Sequence, residues 1–287
     1  MIKFSIPDYY GFYGLNLFLI DLMKEQPDKF YDDIVIDSVY GSFPCIWNGG
    51  RYYPGGTSFE NIKATIEPFN ERGISIRHTF TNCLLEEKHL NDTLCNKICA
   101  LTENPLNGVN VNSQLMKDYI EKNYPQFYTM WSTTICEEDI DKINKLSKNN
   151  LLVLDYNLNN NFELLKQLKY PHNIEILVCE SCISNCPNRK EHYIHESNCQ
   201  LYNETSLYDC PWALRNFYHG SCLRPHHVDI NNIRQNYLPL GIDKFKIMGR
   251  GRSAIEAVEN YINYFVRPEY KDEIRNELLM YIMDNNN

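Results

Sequence analysis

No stretch of this sequence approaches the about eighteen consecutive apolar residues that a membrane-spanning helix requires, so no membrane span is expected. The start, MIKFSIPDYYG, lacks the basic residues, long apolar stretch and small-residue cleavage site of a signal peptide, which makes the cytoplasm the expected compartment. Linkers rich in Pro, Gly and Ser are missing, and so is any repeat of fixed period; one domain over residues 1–287 is therefore expected, with only Asn157 to Asn161 and Asn285 to Asn287 as low-complexity patches. Basic charge is also in short supply. A net charge of −9 with scattered acids excludes an extended nucleic-acid surface, because such surfaces work by neutralising phosphates. A nucleobase-like substrate would have to be held in a local pocket. The cysteine count is eleven and hence not even, which together with the missing export signal points to reduced thiols and metal ligands instead of a disulfide framework.

What the sequence does contain is an alternation of short β-rich runs with amphipathic helical patterns, the mark of a parallel sheet with crossover helices. Eight runs are read as strands: Lys3 to Ile6, Asp33 to Ile36, Ile74 to His78, Gly108 to Val111, Phe127 to Trp131, Leu151 to Leu154, Ile174 to Val178 and Lys244 to Ile247. Helices are predicted over Leu15 to Glu25, Ser58 to Arg72, Ser113 to Asn123, Glu137 to Lys148, Phe162 to Leu168, His227 to Tyr237 and Ala254 to Phe265. Ser58 and Cys136 stand where helix N-caps belong, and Gly73 and Gly241 each close a helix just before a strand. Eight units suit a closed (β/α)8 TIM-type α/β barrel best, an open doubly wound sheet being the alternative. In a barrel, the residues after each strand line the active face. Here those residues include Tyr40, Arg77, His78, Thr79, Asn82, Ser132, Thr133, Thr134, Asp155, Asn157, Glu180 and Arg250.

The strongest chemical signal is a cysteine-rich insertion after the seventh strand, residues 179–222, which holds six of the eleven cysteines. Cys182, Cys186, Cys199, Cys210 and Cys222 are the candidate metal ligands, since zinc and iron–sulfur clusters both need several thiolates converging on one point. Cys182 and Cys186 are spaced to share one face of a helical turn, the others arriving from the following loop. The paired C-x2-C knuckle of a zinc ribbon is absent, and Arg189 stands where a radical-SAM triad would place its third cysteine. Cys45, Cys83, Cys95, Cys99 and Cys136 read as ordinary thiols packed as small hydrophobes.

The run from Leu240 to Arg250, LGIDKFKIMGR, resembles the ending of the collagenase-like peptidase U-32 proteins, and Cys179-x6-Cys186 with Cys222 falls near that family's cluster cysteines. The family's H-G-[AS]-[LM]-C lead-in is replaced here by Val178-Cys-Glu-Ser-Cys182. The resemblance covers the C-terminal third best. It implies a TIM-type barrel, a [4Fe–4S] cluster and redox or hydroxylation chemistry on RNA bases or quinone precursors, the peptidase label finding no support in the residues.

Arg77, His78, Asp155, Glu180 and Arg250 are the candidate catalytic residues: His78 as proton carrier, Asp155 and Glu180 as acid or base, Arg250 as anion clamp. Asn48, Arg51, Asn82 and Asn157 are the candidate substrate-binding residues, with Gly49 and Gly50 letting backbone approach a ligand. Arg189 and His192 are candidates to orient metal ligands. Three functions are consistent with this reading: a cluster-dependent oxidoreductase or hydroxylase, a zinc-dependent hydrolase or lyase, and a non-catalytic protein that pairs with a protein partner.

Overall fold

A computed structural model of the chain describes residues 1–210, 224–249 and 253–285. Eight parallel strands close into a barrel in chain order: β1 Ile2–Pro7, β2 Ile34–Gly41, β3 Ser75–Phe80, β4 Gly108–Val111, β5 Tyr128–Trp131, β6 Leu151–Val153, β7 Ile174–Leu177 and β8 Lys244–Lys246. Lys3, Phe4 and Ser5 pair with Lys244, Phe245 and Lys246, which seals β1 to β8 and excludes the open sheet. The helical segments are α1 Tyr13–Glu25, α2 Phe59–Glu71, α3 Thr93–Thr102, α4 Gln114–Asn123, α5 Ile140–Ser147, α6 Phe162–Leu165, α7 Arg189–Tyr202, α8 Ile230–Asn232, α9 Ala254–Phe265 and α10 Lys271–Asn285.

Period-two alternation decides which side chains enter the barrel. Phe4, Ile76, Val109, Val111, Leu152, Ile176 and Phe245 join Leu19, Ile66, Ile120, Ile262 and Phe265 of the helices in one apolar core. The alternate positions form a different interior. Met130, Val153 and Leu177 make a small apolar cluster of their own, while Ser5, Arg77, Thr79, Asn110, Glu175 and Lys246 are buried polar residues of the strands. A barrel is ordinarily filled by branched apolar side chains, so this polar filling must be internally matched to be tolerated.

Much of it is matched. Arg77 pairs with Glu175 across the barrel, donates from Nε to the Tyr128 hydroxyl at 2.8 Å and lies 3.5 Å from Asp37. Burial alone would lower the Arg77 guanidinium; Tyr128, Glu175 and Asp37 together hold it raised instead. Burial also pushes the Asp37 carboxyl up, against the pull of Arg77.

Several boundaries differ from expectation, with consequences for the site. Strand β2 continues through Tyr40, and β3 runs past the expected end at His78 to Phe80, so Arg77 and His78 lie within the strand and not at its mouth end or just after it. Polar residues paired within a barrel look like loop in a sequence window. The N-cap expected at Cys136 is instead Asp139, which accepts from the Lys142 N–H; Cys136 takes a left-handed backbone with φ of 51°. The single helix expected over His227 to Tyr237 starts at the Asp229 cap as α8 and widens into a π-turn over Ile233–Tyr237. Gly73 and Gly241 do close their helices, with φ of 74° and 84°.

The largest difference is α7. The segment expected as loop contributes a 14-residue helix, a second helix between β7 and β8 besides α8. Its polar sequence, RKEHYIHESNCQLY, has no apolar face for a barrel flank because it lies elsewhere, reaching the loops after β2 and β3.

Candidate active site at the barrel mouth

At the C-terminal ends of the strands a cavity of about 80 Å³ opens, lined among others by Tyr40, Thr79, Thr81, Asn110, Ser132, Leu177, Glu180, Lys246 and Met248. Gly50 and Arg51 from the loop after β2, and Tyr193 from α7, complete its rim. Of the candidate residues, Arg51 and Glu180 line this space directly. Arg51 donates to the Gly50 carbonyl at 2.8 Å, and among the described residues no carboxylate lies within ion-pair distance of it. Burial would lower its guanidinium, but Glu180 and Glu196 hold it raised, so it offers a charged fork to an incoming anion. Glu180 is oriented by its own loop, Oε1 accepting from the backbone N–H groups of Ser181 at 2.8 Å and Cys182 at 3.0 Å.

A lid brace holds this rim. Asn48 donates to Gln200 at 3.0 Å, Gln200 in turn accepts from the Tyr53 N–H at 2.9 Å, and Glu196 accepts from the Tyr52 N–H at 2.6 Å. Asn82 donates to the Ile46 and Ser197 carbonyls at 2.9 and 3.1 Å. The candidate binding residues Asn48 and Asn82 thus tie the β2 and β3 loops to α7. Gly49 has a structural reason as well: a Cβ there would come within 2.3 Å of the Thr81 and Asn82 backbone, so the close approach is to the segment just after β3. Asn157 is likewise a brace, donating to Glu138 at 2.9 Å and accepting from the Asn185 N–H at 2.9 Å, which anchors the cysteine loop.

Asp155 sits behind the cavity wall. It pairs with Arg189 at 2.5 Å, and Arg189 also donates to the Thr133 carbonyl and hydroxyl at 3.0 and 3.1 Å while stacking 4.2 Å over the Tyr156 ring. Burial raises the Asp155 carboxyl and the Arg189 charge opposes it. This pair seats the first turn of α7 on the β5 and β6 loops.

His78 points away from the mouth. It is 0% exposed, with Nδ1 at 2.7 Å from the Tyr9 hydroxyl and Nε2 at 2.8 Å from Thr102 Oγ1 of α3. Thr102 spends its proton on the Ile98 carbonyl, so Nε2 is the protonated nitrogen and Nδ1 accepts from Tyr9. Burial pushes the ring down to about 3, which corrects the expectation of a proton carrier active near neutral pH. Arg250 lies outside the described residues.

The cysteines divide. Cys182 and Cys186 lie on a tight turn, not a helix, with Asn185 between them at φ of 52°. Cys182 donates its backbone N–H to Glu180 at 3.0 Å, the Tyr156 hydroxyl donates to the neighbouring Ile183 carbonyl at 3.3 Å, and burial pushes the Cys182 thiol up to about 12. Cys199 is not on a loop: it stands in α7, about 15 Å along the helix from Arg189 at 1.5 Å per residue, with its sulfur 3.5 Å from His195 Nε2 and 3.4 Å from the Ser206 hydroxyl. The segment after α7 doubles back, since Tyr208 stacks on His192 and donates to Glu191 at 3.2 Å, which returns Cys210 toward the start of the helix. Cys179 accepts from the Met248 N–H at 3.2 Å at the barrel wall. Cys222 lies outside the described residues. Among the described residues, no three His, Cys, Asp or Glu side chains converge as a metal-holding group.

Sequence reasoning missed Asn110, Thr81, Lys246 and Tyr193. Asn110 is the most telling: it is 1% exposed, and neither Nδ2 nor Oδ1 has a hydrogen-bond partner. Thr81 Oγ1 is also unpartnered. The available signal was the run Gly108-Val-Asn-Val111, where a lone amide alternates with two valines and therefore faces inward.

Fold and mouth together define a TIM-type barrel with a helix-braced polar pocket at the end where such barrels carry their chemistry. A solved structure titled as that of the U32 peptidase Mk0906 shares this fold, with a TM-score of 0.54 at 12% identity, over 86% of this chain and 92% of that one. The structural likeness agrees with the U-32 resemblance of the C-terminal third. Neither a family model nor a curated protein matches the sequence. No described helix is long and apolar enough to cross a membrane.

Proposed function

We propose that the chain is a cytoplasmic enzyme of the U32-like type that takes a small polar or nucleobase-like substrate into the mouth cavity and carries out redox or hydroxylation chemistry there. The observation that carries this reading is the cavity itself: buried polar groups without partners line the end of the barrel where catalysis occurs, and the cysteine turn adjoins it through Glu180, which accepts the Cys182 N–H. Arg51, Glu180 and Lys246 are charged residues of the lining among the described residues, Arg51 suited to bind an anionic substituent and Glu180 to exchange a proton. Asp155 and Arg189 position the wall.

The described residues do not by themselves fit a [4Fe–4S] cluster, since among them no three His, Cys, Asp or Glu side chains converge. A four-sulfur set beginning with Cys182 and Cys186 would draw on the doubled-back segment that carries Cys210 and on Cys222. A bound cluster would supply electron transfer. Metal analysis and an absorption spectrum of anaerobically purified protein test this, with about four irons per chain and a brown colour expected, both lost in the C182A/C186A variant. Stoichiometric zinc in a colourless protein would replace the reading with a hydrolase or lyase. Metal-free protein that co-purifies with another chain would replace it with a binding role.

A further inference from the structure

The mouth cavity contains an unsolved hydrogen-bonding problem, and its solution describes a ligand. Asn110 carries two donors on Nδ2 and an acceptor on Oδ1, all buried and unmatched within the protein. Leaving such groups bare costs free energy, so a binding partner that completes them is favoured over an inert apolar one. A primary amide presents donor and acceptor side by side, and its complement is a group that also presents both, in reversed order, forming two parallel hydrogen bonds. An ionised carboxylate is acceptor-only and would leave Oδ1 unmatched. Leu177 and Met248 supply an apolar wall for a ring face, and Thr81 Oγ1 supplies one more unmet polar atom on the lining. At roughly 10–15 Å³ for each water-sized group, the cavity of about 80 Å³ has room for about six such groups, the size of one six-membered ring.

We propose that Asn110 is the specificity-determining residue of the mouth and that it reads the cis-amide edge of a neutral ring lactam, N–H to Oδ1 and C=O from Nδ2. The inference rests on the mouth cavity being the substrate site. It adds which edge of the substrate enters first.

The test uses the full chain, purified anaerobically, and two small probes followed by ligand-observed NMR: 2-pyridone, which has the edge, and N-methyl-2-pyridone, which has the same ring without the N–H. Wild type is expected to bind 2-pyridone with a dissociation constant at least about tenfold below that for the N-methyl compound. Asn110→Leu is expected to abolish that preference. Because it replaces unpaired polar atoms by an apolar side chain of similar size, this variant is also expected to melt no lower than wild type. Equal affinity for both probes, or a preference that survives in Asn110→Leu, would overturn the assignment of Asn110 while leaving the cavity as the substrate site. Binding of neither probe would overturn the lactam assignment too, and the iron content of the same sample then reports separately on the proposed chemistry.

Discussion

Acidification should unlock the barrel wall at His78. The imidazole is fully enclosed between Tyr9, Phe80, Thr102 and Phe127, and its ring is held down at about 3 by burial. Both nitrogens are already assigned, Nε2 donating and Nδ1 accepting, so a second proton would turn Nδ1 against the hydroxyl that now donates to it. The folded form therefore binds fewer protons than the unfolded chain, whose histidines titrate near about 6.5. Stability from this group is present above about 6.5 and drains away as pH falls toward about 3. Two pH units into that window, at about pH 4.5, the loss is about 3 kcal/mol, at about 1.4 kcal/mol per unit. Urea denaturation of wild type and of His78→Gln at about pH 7 and about pH 4.5 isolates the effect, since every other titrating group is common to both. Wild type should lose about 3 kcal/mol more than the variant between the two conditions. Equal losses, or an NMR titration of the His78 ring with a midpoint near 6.5, would refute the reasoning.

Arg189→Met should cost about 3–5 kcal/mol, because Asp155 would keep a buried charge with its guanidinium gone. Part of that loss should return at low pH: the Asp155 carboxyl, already raised, would rise further, so the folded variant takes up a proton that the unfolded chain takes up only at lower pH. Thermal melts of variant and wild type at about pH 7 and about pH 5 read both effects. A variant as stable as wild type, or one whose deficit grows on acidification, would count against the pair as the seat of α7.

The barrel was legible because its signals are local and redundant. Most of the strands place apolar residues at alternate positions between turn residues, and Gly73 and Gly241 mark helix ends with left-handed backbones. The site was legible where loop position and chemistry coincide, as at Arg51 and Glu180. It was not legible where the barrel interior is polar. Arg77 and His78 are neighbours on β3 facing opposite ways, one matched to Glu175 inside, the other to Thr102 outside, and a window of sequence reports two polar residues without their partners. The role of α7 was hidden for a similar reason. Its Glu196, Ser197 and Gln200 are spent on the backbones and amides of Asn48, Tyr52, Tyr53 and Asn82, contacts that join residues more than a hundred positions apart and leave no periodic apolar trace. Asn110 escaped because a buried amide that lacks a partner looks, in sequence, like one that has found one.

A high-resolution crystal structure of the anaerobically prepared chain tests most directly whether the barrel mouth is a ligand site. The expected result is an Asn110 amide facing the cavity, with Nδ2 and Oδ1 bonded to water or to a retained small molecule and to no protein atom. An amide turned into the wall and hydrogen-bonded to a neighbouring strand or side chain would contradict it.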